Sequence, residues 1–262
     1  MRLDHVVILV TDLDQTHADY EALGFHVTSG GRHVGMPTHN ALVVFGDGTY
    51  LELLAPLDVE SALLSSDRWL VRLQRGEGLL SYAVRCAPLP PSQPEAPGWA
   101  WETAEEGRVR PDGVELRWRH LLPVAGGLLT PLPFFIEDLT PSQLRVPTEE
   151  ATLHRLPVAG IARVRVAVAD VQTTARQMGQ LLGVEPQAAS ASGAVRFVLQ
   201  ADETAQIVEL VGPNDNSQAA DHLGRLGEGP YEIELAVASD ASGGSLLDGP
   251  THGVRFVLGG PA

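Results

Sequence analysis

Short apolar runs separated by turn residues predict a strand and a helix at the start of the chain. The β-branched run 6–10 is apolar throughout, as in a buried strand. Asp12 or Asp14 is placed to cap the helix that follows, and Gly24 is placed to end it in a left-handed conformation.

Three further strands follow this helix. Residues 25–29 alternate between apolar and polar positions and lead into a turn at Gly30-Gly31. Residues 41–45 and 49–54 flank Gly46-Asp47-Gly48, which is a strong hairpin signal. The predicted order of elements is therefore βαβββ.

The same order returns in the second half of the chain. Val10 corresponds to Val168 and Pro56 to Pro213, so the offset is 158 residues at the first strand and 157 at the last. An offset that holds across a whole module indicates an internal repeat.

Each half also holds a weaker second module. In the first half it begins with a strand at 79–85 and continues through a hairpin at 109–118 to a strand at 133–138. In the second half it begins at Tyr231 and is cut short. The stretch 88–98 holds five of the nineteen prolines and predicts an irregular excursion.

These patterns predict an α+β fold in which tandem βαβββ modules form curved, cup-like mixed sheets in two domains. We place a paired-module domain with the candidate site at 1–140 and a linker at 141–157. A second, degenerate domain follows at 158–262.

Composition narrows the class of protein. Of 262 residues, 44% are hydrophobic and 19% are charged, which is typical of a globular chain. The net charge of −15, without a cluster of basic residues, argues against nucleic-acid and anionic-membrane partners. The single cysteine, Cys86, cannot form an internal disulfide, and the first residues lack a secretory signal, so we expect the protein in the cytoplasm.

Several motifs resemble those of the vicinal oxygen chelate superfamily, of which paired βαβββ modules are typical. Leu3-Asp4-His5-Val6-Val7-Ile8 resembles the metal-ligand strand of bacterial glyoxalase I. The chain to about residue 175 resembles the glyoxalase-like domain proteins of unknown function. The motifs that carry this second likeness are Gly30-Gly31-Arg32-His33, Gly35-Met36-Pro37-Thr38-His39-Asn40, Gly46-Asp47-Gly48-Thr49-Tyr50-Leu51-Glu52-Leu53 and Pro133-Phe134-Phe135-Ile136-Glu137-Asp138.

The resemblance implies a set of metal ligands, because superfamily members take them from the first and fourth strands of each module. His5 and Glu52 are the implied ligands of the first module, and Glu137 is that of the second. The ligand position on the first strand of the second module is occupied by Leu80 or Tyr82, neither of which is a good ligand.

Three ligands that leave open positions are typical of a catalytic metal, and this donor set suits Zn, Mn, Fe, Ni or Co. Glu137 or Glu52, once free of the metal, could act as the general base.

Each implied ligand also has a structural interpretation. His5 could be a hydrogen-bonded core residue, and Glu137 could begin a turn. Glu52 points into the cup if Leu51 and Leu53 pack on the helix, and it is merely solvated in the opposite case.

Substrate contacts are predicted at the glycine-rich segment. We expect His39 and Asn40, and next His33, to line the pocket, and His39 could also replace the missing ligand. Arg119, with His120, could meet an anionic substrate or form a solvated rim.

The second half is the weaker candidate for a site. Arg163 stands at the position of His5, where an arginine would repel a metal cation. An ion pair with Glu209 is the expected arrangement, and the domain is predicted to serve in packing or in forming a homodimer.

Two functions remain open. The first is a metal-dependent lyase, isomerase or dioxygenase that acts on a small oxygenated molecule at His5, Glu52 and Glu137. The alternative is a metal-free binding protein that sequesters a small molecule in an apolar cup.

Overall fold

The computed structural model describes residues 1–65, 68–90, 100–124, 127–189, 193–201, 204–237 and 244–261. Most of the proline-rich stretch, residues 91–98, lies outside the described residues. In the described ranges no helix has the length and apolarity needed to cross a membrane.

The first half forms a closed eight-stranded barrel in the order β1-β4-β3-β2-β6-β7-β8-β5. Its strands are β1 Arg2–Leu9, β2 Thr28–His33, β3 Thr38–Val44, β4 Tyr50–Pro56, β5 Gly78–Arg85, β6 Trp101–Val109, β7 Glu115–Pro123 and β8 Phe134–Asp138.

The second half forms a seven-stranded curved sheet in the order β10-β11-β12-β9-β13-β15-β14. Its strands are β9 Val158–Ala167, β10 Gln187–Ala188, β11 Val195–Ala201, β12 Thr204–Val211, β13 Gly229–Val237, β14 Ser245–Leu246 and β15 Arg255–Pro261. The described helices of the whole chain are α1 Leu13–Leu23, α2 Val59–Leu63, α3 Arg68–Val71, α4 Ser142–Arg145, α5 Val171–Leu182 and α6 Ser217–Leu226, with 3₁₀ turns at Arg72–Arg75 and Glu149–Thr152.

The predicted α+β class and the repeated module are confirmed. Helix α1 follows β1, and α5 follows β9 at the corresponding place. Asp12 caps α1 by accepting from the backbone N–H of Gln15 at 2.9 Å, and Asp170 caps α5 in the same way. Gly24, at φ 101°, ends α1 in the left-handed conformation that a residue with a side chain rarely adopts.

The predicted turn at Gly30-Gly31 is wrong, because both glycines lie within β2. A Cβ atom on Gly31 would overlap the carbonyl oxygen of Val109, and one on Gly30 would overlap the Asn40 and Arg108 side chains. The glycines therefore mark close packing inside the sheet. They allow β2 to pair with β6, with His33 opposite Arg108, and this pairing closes the barrel.

Alternation along each strand separates the inside of the barrel from its outside. On β4, Leu51 and Leu53 are fully buried in the hydrophobic core that lies outside the barrel, whereas Glu52 lines the barrel interior. The parallel pairing of β1 with β4 places His5 beside Tyr50, next to Glu52.

One hydrophobic core joins the two halves. Tyr20 and Phe25 from the first module pack on Phe256 of β15, with ring centroids 6.1 and 5.9 Å from it. In the same contact region, the backbone N–H of Leu3 donates to Gln206 Oε1 at 2.7 Å in a buried hydrogen bond. Because the two sheets share this core, we expect them to unfold together.

This coupling predicts that Phe256→Ala destabilises the barrel as well as the second sheet. Phe256 is 1% exposed, and removing such a ring costs about 3–5 kcal/mol. All four tryptophans lie in the first half, so their fluorescence during urea denaturation reports on the barrel.

The midpoint of the fluorescence transition should fall together with that of far-UV circular dichroism. Leu246→Ala, at a residue that is 47% exposed, is the control and should leave both unchanged. An unchanged fluorescence midpoint in Phe256→Ala would show that the halves unfold independently.

Candidate functional site

The barrel encloses a cavity of about 260 Å³ that combines a polar cluster with apolar walls. The polar side chains come from separate interior strands, and the walls are mainly aromatic and aliphatic. The residues that line it include His5, His33, Asn40, Glu52, Glu106, Arg108, Trp118, His120 and Phe134.

His5 is held in one orientation by its neighbours. Its Nδ1 lies 2.7 Å from Asp4 Oδ1, its ring stacks on Tyr50 at 4.6 Å, and Phe134 meets it edge-on at 5.4 Å. Because the ionised Asp4 carboxylate can only accept, Nδ1 is the donor in this hydrogen bond. The other nitrogen, Nε2, lies 3.5 Å from Glu52 Oε2.

Asp4 is fully buried and is surrounded by positive charge. Arg145 NH1 donates to it at 2.8 Å and Arg85 Nε at 2.6 Å. Burial by itself raises the pKa of Asp4, but Arg145 and the hydrogen bond from His5 hold that pKa well below its usual value. Arg145 also donates to Tyr50 and Asp138, so the network reaches β1, β4, β5, β8 and α4.

Glu52 lies between two imidazoles. Besides His5, the Nε2 of His33 lies 3.6 Å from Glu52 Oε1, and Asn40 Nδ2 donates to the same oxygen at 2.6 Å. Burial raises the pKa of Glu52, but His5, His33 and the hydrogen bond from Asn40 lower it below the ordinary value. The carboxylate is therefore ionised at neutral pH.

Asn40 is oriented by Arg108, whose NH1 donates to Asn40 Oδ1 at 2.9 Å. This contact directs the Asn40 amide nitrogen towards Glu52 and towards His33 Nε2, which lies 3.4 Å away. Burial lowers the pKa of His33, which favours the neutral ring. Its Nδ1 lies 2.9 Å from Thr38 Oγ1.

A second polar group lies on β6 and β7. His120 is 5% exposed, and its Nε2 lies 3.1 Å from Glu106 Oε1 without good hydrogen-bond geometry. Its ring meets Phe134 at 6.4 Å, so Phe134 lies between His120 and His5. Trp118 packs edge-on against His33 at 6.0 Å.

The structure brings together only part of the predicted site. His5, Glu52, Asn40 and His33 line one cavity. His39, which alternates with Asn40 on β3, is half-buried and is not among the cavity-lining residues.

Glu137 and Arg119 also lie away from the cavity. Glu137 alternates with the cavity-lining residues Phe134 and Ile136 on β8, so it faces the opposite side of the strand. Its Oε2 lies 3.5 Å from Arg119 NH1, and Arg119 also bonds the exposed Glu105. The predicted set of His5, Glu52 and Glu137 does not converge.

The residues present therefore do not fit a three-ligand metal centre. At the place where a fourth ligand is usual, Leu80 packs in the apolar core of the barrel. Within the described ranges, no group of three or more His, Cys, Asp or Glu side chains could hold a metal ion.

Arg108, Glu106 and Arg145 also line the cavity, and none of them was predicted as a site residue. Glu106 and Arg108 share one face of β6, and their two-residue spacing was the available signal. Arg145 carried no signal, because it lies in the segment predicted to be a linker and reaches Asp4 only in the folded chain.

The concave face of the second sheet holds ion pairs in place of this cluster. The predicted pair is confirmed, with Arg163 NH1 3.2 Å from Glu209 Oε2. Arg165 contacts the same carboxylate at 3.1 Å and also pairs with Glu232.

Solved structures share this architecture at low sequence identity. A hypothetical protein from Staphylococcus aureus is 13% identical, and the match covers 97% of this chain and 98% of that one, with a TM-score of 0.67. The halotolerant catechol dioxygenase BphC is 10% identical over 99% of this chain and 87% of its own, with a TM-score of 0.53. Identities this low show the fold alone.

The fold and the paired modules define a protein of the vicinal oxygen chelate superfamily. The profile of the Glyoxalase-like domain family matches residues 3–182, which is more than half of the chain. The chain belongs to this family. No curated protein matches it.

The Asp4 network predicts a large loss of stability in Asp4→Asn, because Arg145 would lose the fully buried one of its two carboxylate partners and Arg85 would lose its 2.6 Å ion pair. Breaking a buried ion pair costs about 3–5 kcal/mol, which urea denaturation at pH 7 would measure. Asp14→Asn, at an exposed position on α1, is the matched control and should unfold at the wild-type midpoint.

The pH dependence follows from the lowered pKa of Asp4. The contribution of ionised Asp4 to the free energy of unfolding is complete above the pKa that the group has in the unfolded chain, about 3.9. It is lost as the pH falls towards the lower pKa of Asp4 in the folded protein. The stability gap between wild type and Asp4→Asn should therefore narrow below about pH 4. A gap that stays constant down to pH 2 would contradict this assignment.

Proposed function

We propose that the barrel cavity is an active site in which Glu52 accepts a proton from a small oxygenated molecule. The observation that carries this proposal is the buried Glu52 carboxylate, which accepts a hydrogen bond from Asn40 and lies 3.5 and 3.6 Å from the His5 and His33 imidazoles at the barrel cavity. A base fixed by its neighbours within reach of a bound molecule is the arrangement that general base catalysis needs.

His5 is the group that would take the proton onward. Its Nδ1–H is bonded to Asp4, so in the neutral ring Nε2 is the acceptor, 3.5 Å from Glu52 Oε2. The substrate proton would move to Glu52 and then to His5, and the reverse path would return it. Asp4 would orient the ring without touching the substrate.

No step of this reaction involves a metal, because Glu137 faces away from His5 and Glu52. The reaction belongs to the lyase or isomerase class, in which a proton moves between carbon and a base.

Sequestration without catalysis is the second candidate. Trp69, Trp118, Phe134 and Leu128 provide apolar walls that would hold a small molecule without any reaction. This function needs the walls and does not need the Glu52 carboxylate.

Hydrogen exchange tests the proposal. The protein is incubated in D₂O with a panel of small carbonyl compounds and 2-hydroxy and 2-oxo acids, and ¹H NMR follows the loss of carbon-bound protons. We expect exchange in at least one compound, and Glu52→Gln should slow it about 10²- to 10⁴-fold.

Glu137→Gln is the matched control, since it makes the same change on the outer side of the barrel and should leave exchange unchanged. Binding without exchange, equal in wild type and Glu52→Gln, would support sequestration and overturn the proposal.

Metal analysis distinguishes the metal-free proton transfer proposed above from the metal-dependent enzyme that the sequence suggested. Protein equilibrated with micromolar Zn²⁺, Mn²⁺, Fe²⁺, Ni²⁺ or Co²⁺ and then desalted should retain no stoichiometric ion, because the predicted third ligand faces away. One bound ion per chain that is lost in both His5→Ala and Glu52→Gln would instead support the metal-dependent enzyme.

A further inference from the structure

Arg108 is a buried cation without an anionic contact. It is 3% exposed and lines the barrel cavity, and within the described residues no carboxylate lies at ion-pair distance from it. Burial lowers the pKa of Arg108, as expected for a guanidinium removed from water. A buried charge is costly unless an opposite charge meets it.

The guanidinium is nevertheless fixed in place. NH1 donates to Asn40 Oδ1 at 2.9 Å, and NH2 donates to the backbone carbonyl of Arg145 at 2.8 Å. Nε is buried and makes no hydrogen bond. The donors are therefore only partly used, and by neutral acceptors.

Gly30 provides the space for this arrangement. A Cβ atom there would overlap both Asn40 Oδ1 and Arg108 NH1. The backbone of β2 thus approaches closely enough to seat the Asn40–Arg108 pair, and any larger residue would displace it.

Two of the carboxylates that line the cavity already have other partners. Glu52 is bonded by Asn40 and flanked by His5 and His33, and Glu106 lies beside His120. Arg108 remains the cavity cation for which a ligand could supply the counter-charge.

We propose that Arg108 binds the carboxylate of a small carboxylic acid whose apolar body lies against Trp118 and Phe134. This substrate class rests on the proposed proton transfer at Glu52, which lines the same cavity. The C–H bond next to the carboxylate breaks, and its proton goes to Glu52. The electron pair moves onto the carboxylate oxygens, where the guanidinium stabilises the added negative charge.

Benzoate and its neutral isostere benzamide are the probes, because the cavity walls are aromatic. Isothermal titration calorimetry on the full chain should show that benzoate binds about 10- to 100-fold more tightly than benzamide, because only benzoate forms a charge-assisted hydrogen bond with Arg108. Benzamide that binds as tightly as benzoate would overturn the proposal, and so would an absence of benzoate binding at millimolar concentration.

Arg108→Gln should reduce benzoate affinity to the level of benzamide and leave benzamide affinity unchanged. Arg108→Lys retains the charge without the forked donors, so it should bind benzoate with intermediate affinity. This variant also provides the test if Arg108→Gln does not fold. Arg119→Gln removes an arginine on the outer side of β7 and should bind as wild type does. Wild-type benzoate affinity in both Arg108 variants would overturn the assignment.

The exchange and binding experiments test the Arg108 subsite and the proton transfer at Glu52 separately. Exchange that depends on Glu52 but occurs only in neutral carbonyl compounds would overturn the carboxylate subsite alone. Benzoate binding that depends on Arg108, without exchange in any compound, would overturn the proton transfer and leave the subsite in place.

Discussion

The site depends on a buried carboxylate that is shared among cations. Asp4 is fully buried, and Arg145, Arg85 and His5 all bond to it. Burial of a charge in the barrel wall is tolerated because each oxygen has a positively charged or N–H partner. The same carboxylate decides which nitrogen of His5 carries the proton, and so which nitrogen faces Glu52.

Barrel closure fixes the relative positions of the site residues. His5, His33, Asn40, Glu52 and Arg108 come from five different strands, and the strand pairing fixes their separations. A site built on strands keeps its geometry better than one built on loops. The closure itself relies on β2 and β6 pairing through the space that Gly31 leaves.

The second sheet carries ion pairs where the barrel carries its polar cluster. The positions of His5 and Glu52 are taken by Arg163 and Glu209, which pair directly. Further pairs with Arg165 fill the concave face with charges that neutralise one another. The second sheet instead provides apolar surface, through residues such as Phe256, that covers the outside of the barrel.

The sequence by itself determined the modules, because apolar periodicity, the caps at Asp12 and Gly24 and the repeat offset are all local in the chain. The resemblance of its motifs to the superfamily pointed to His5 and Glu52, and the glycine-rich segment pointed to Asn40; all three line the cavity. The sequence could not decide which face of β8 turns inward, so Glu137 was implied as a ligand although it faces away from the cavity. Nor could it identify the partners of buried charges. Asp4 meets Arg145 and Asn40 meets Arg108 across 141 and 68 residues of chain, and only the closed tertiary structure brings such groups together.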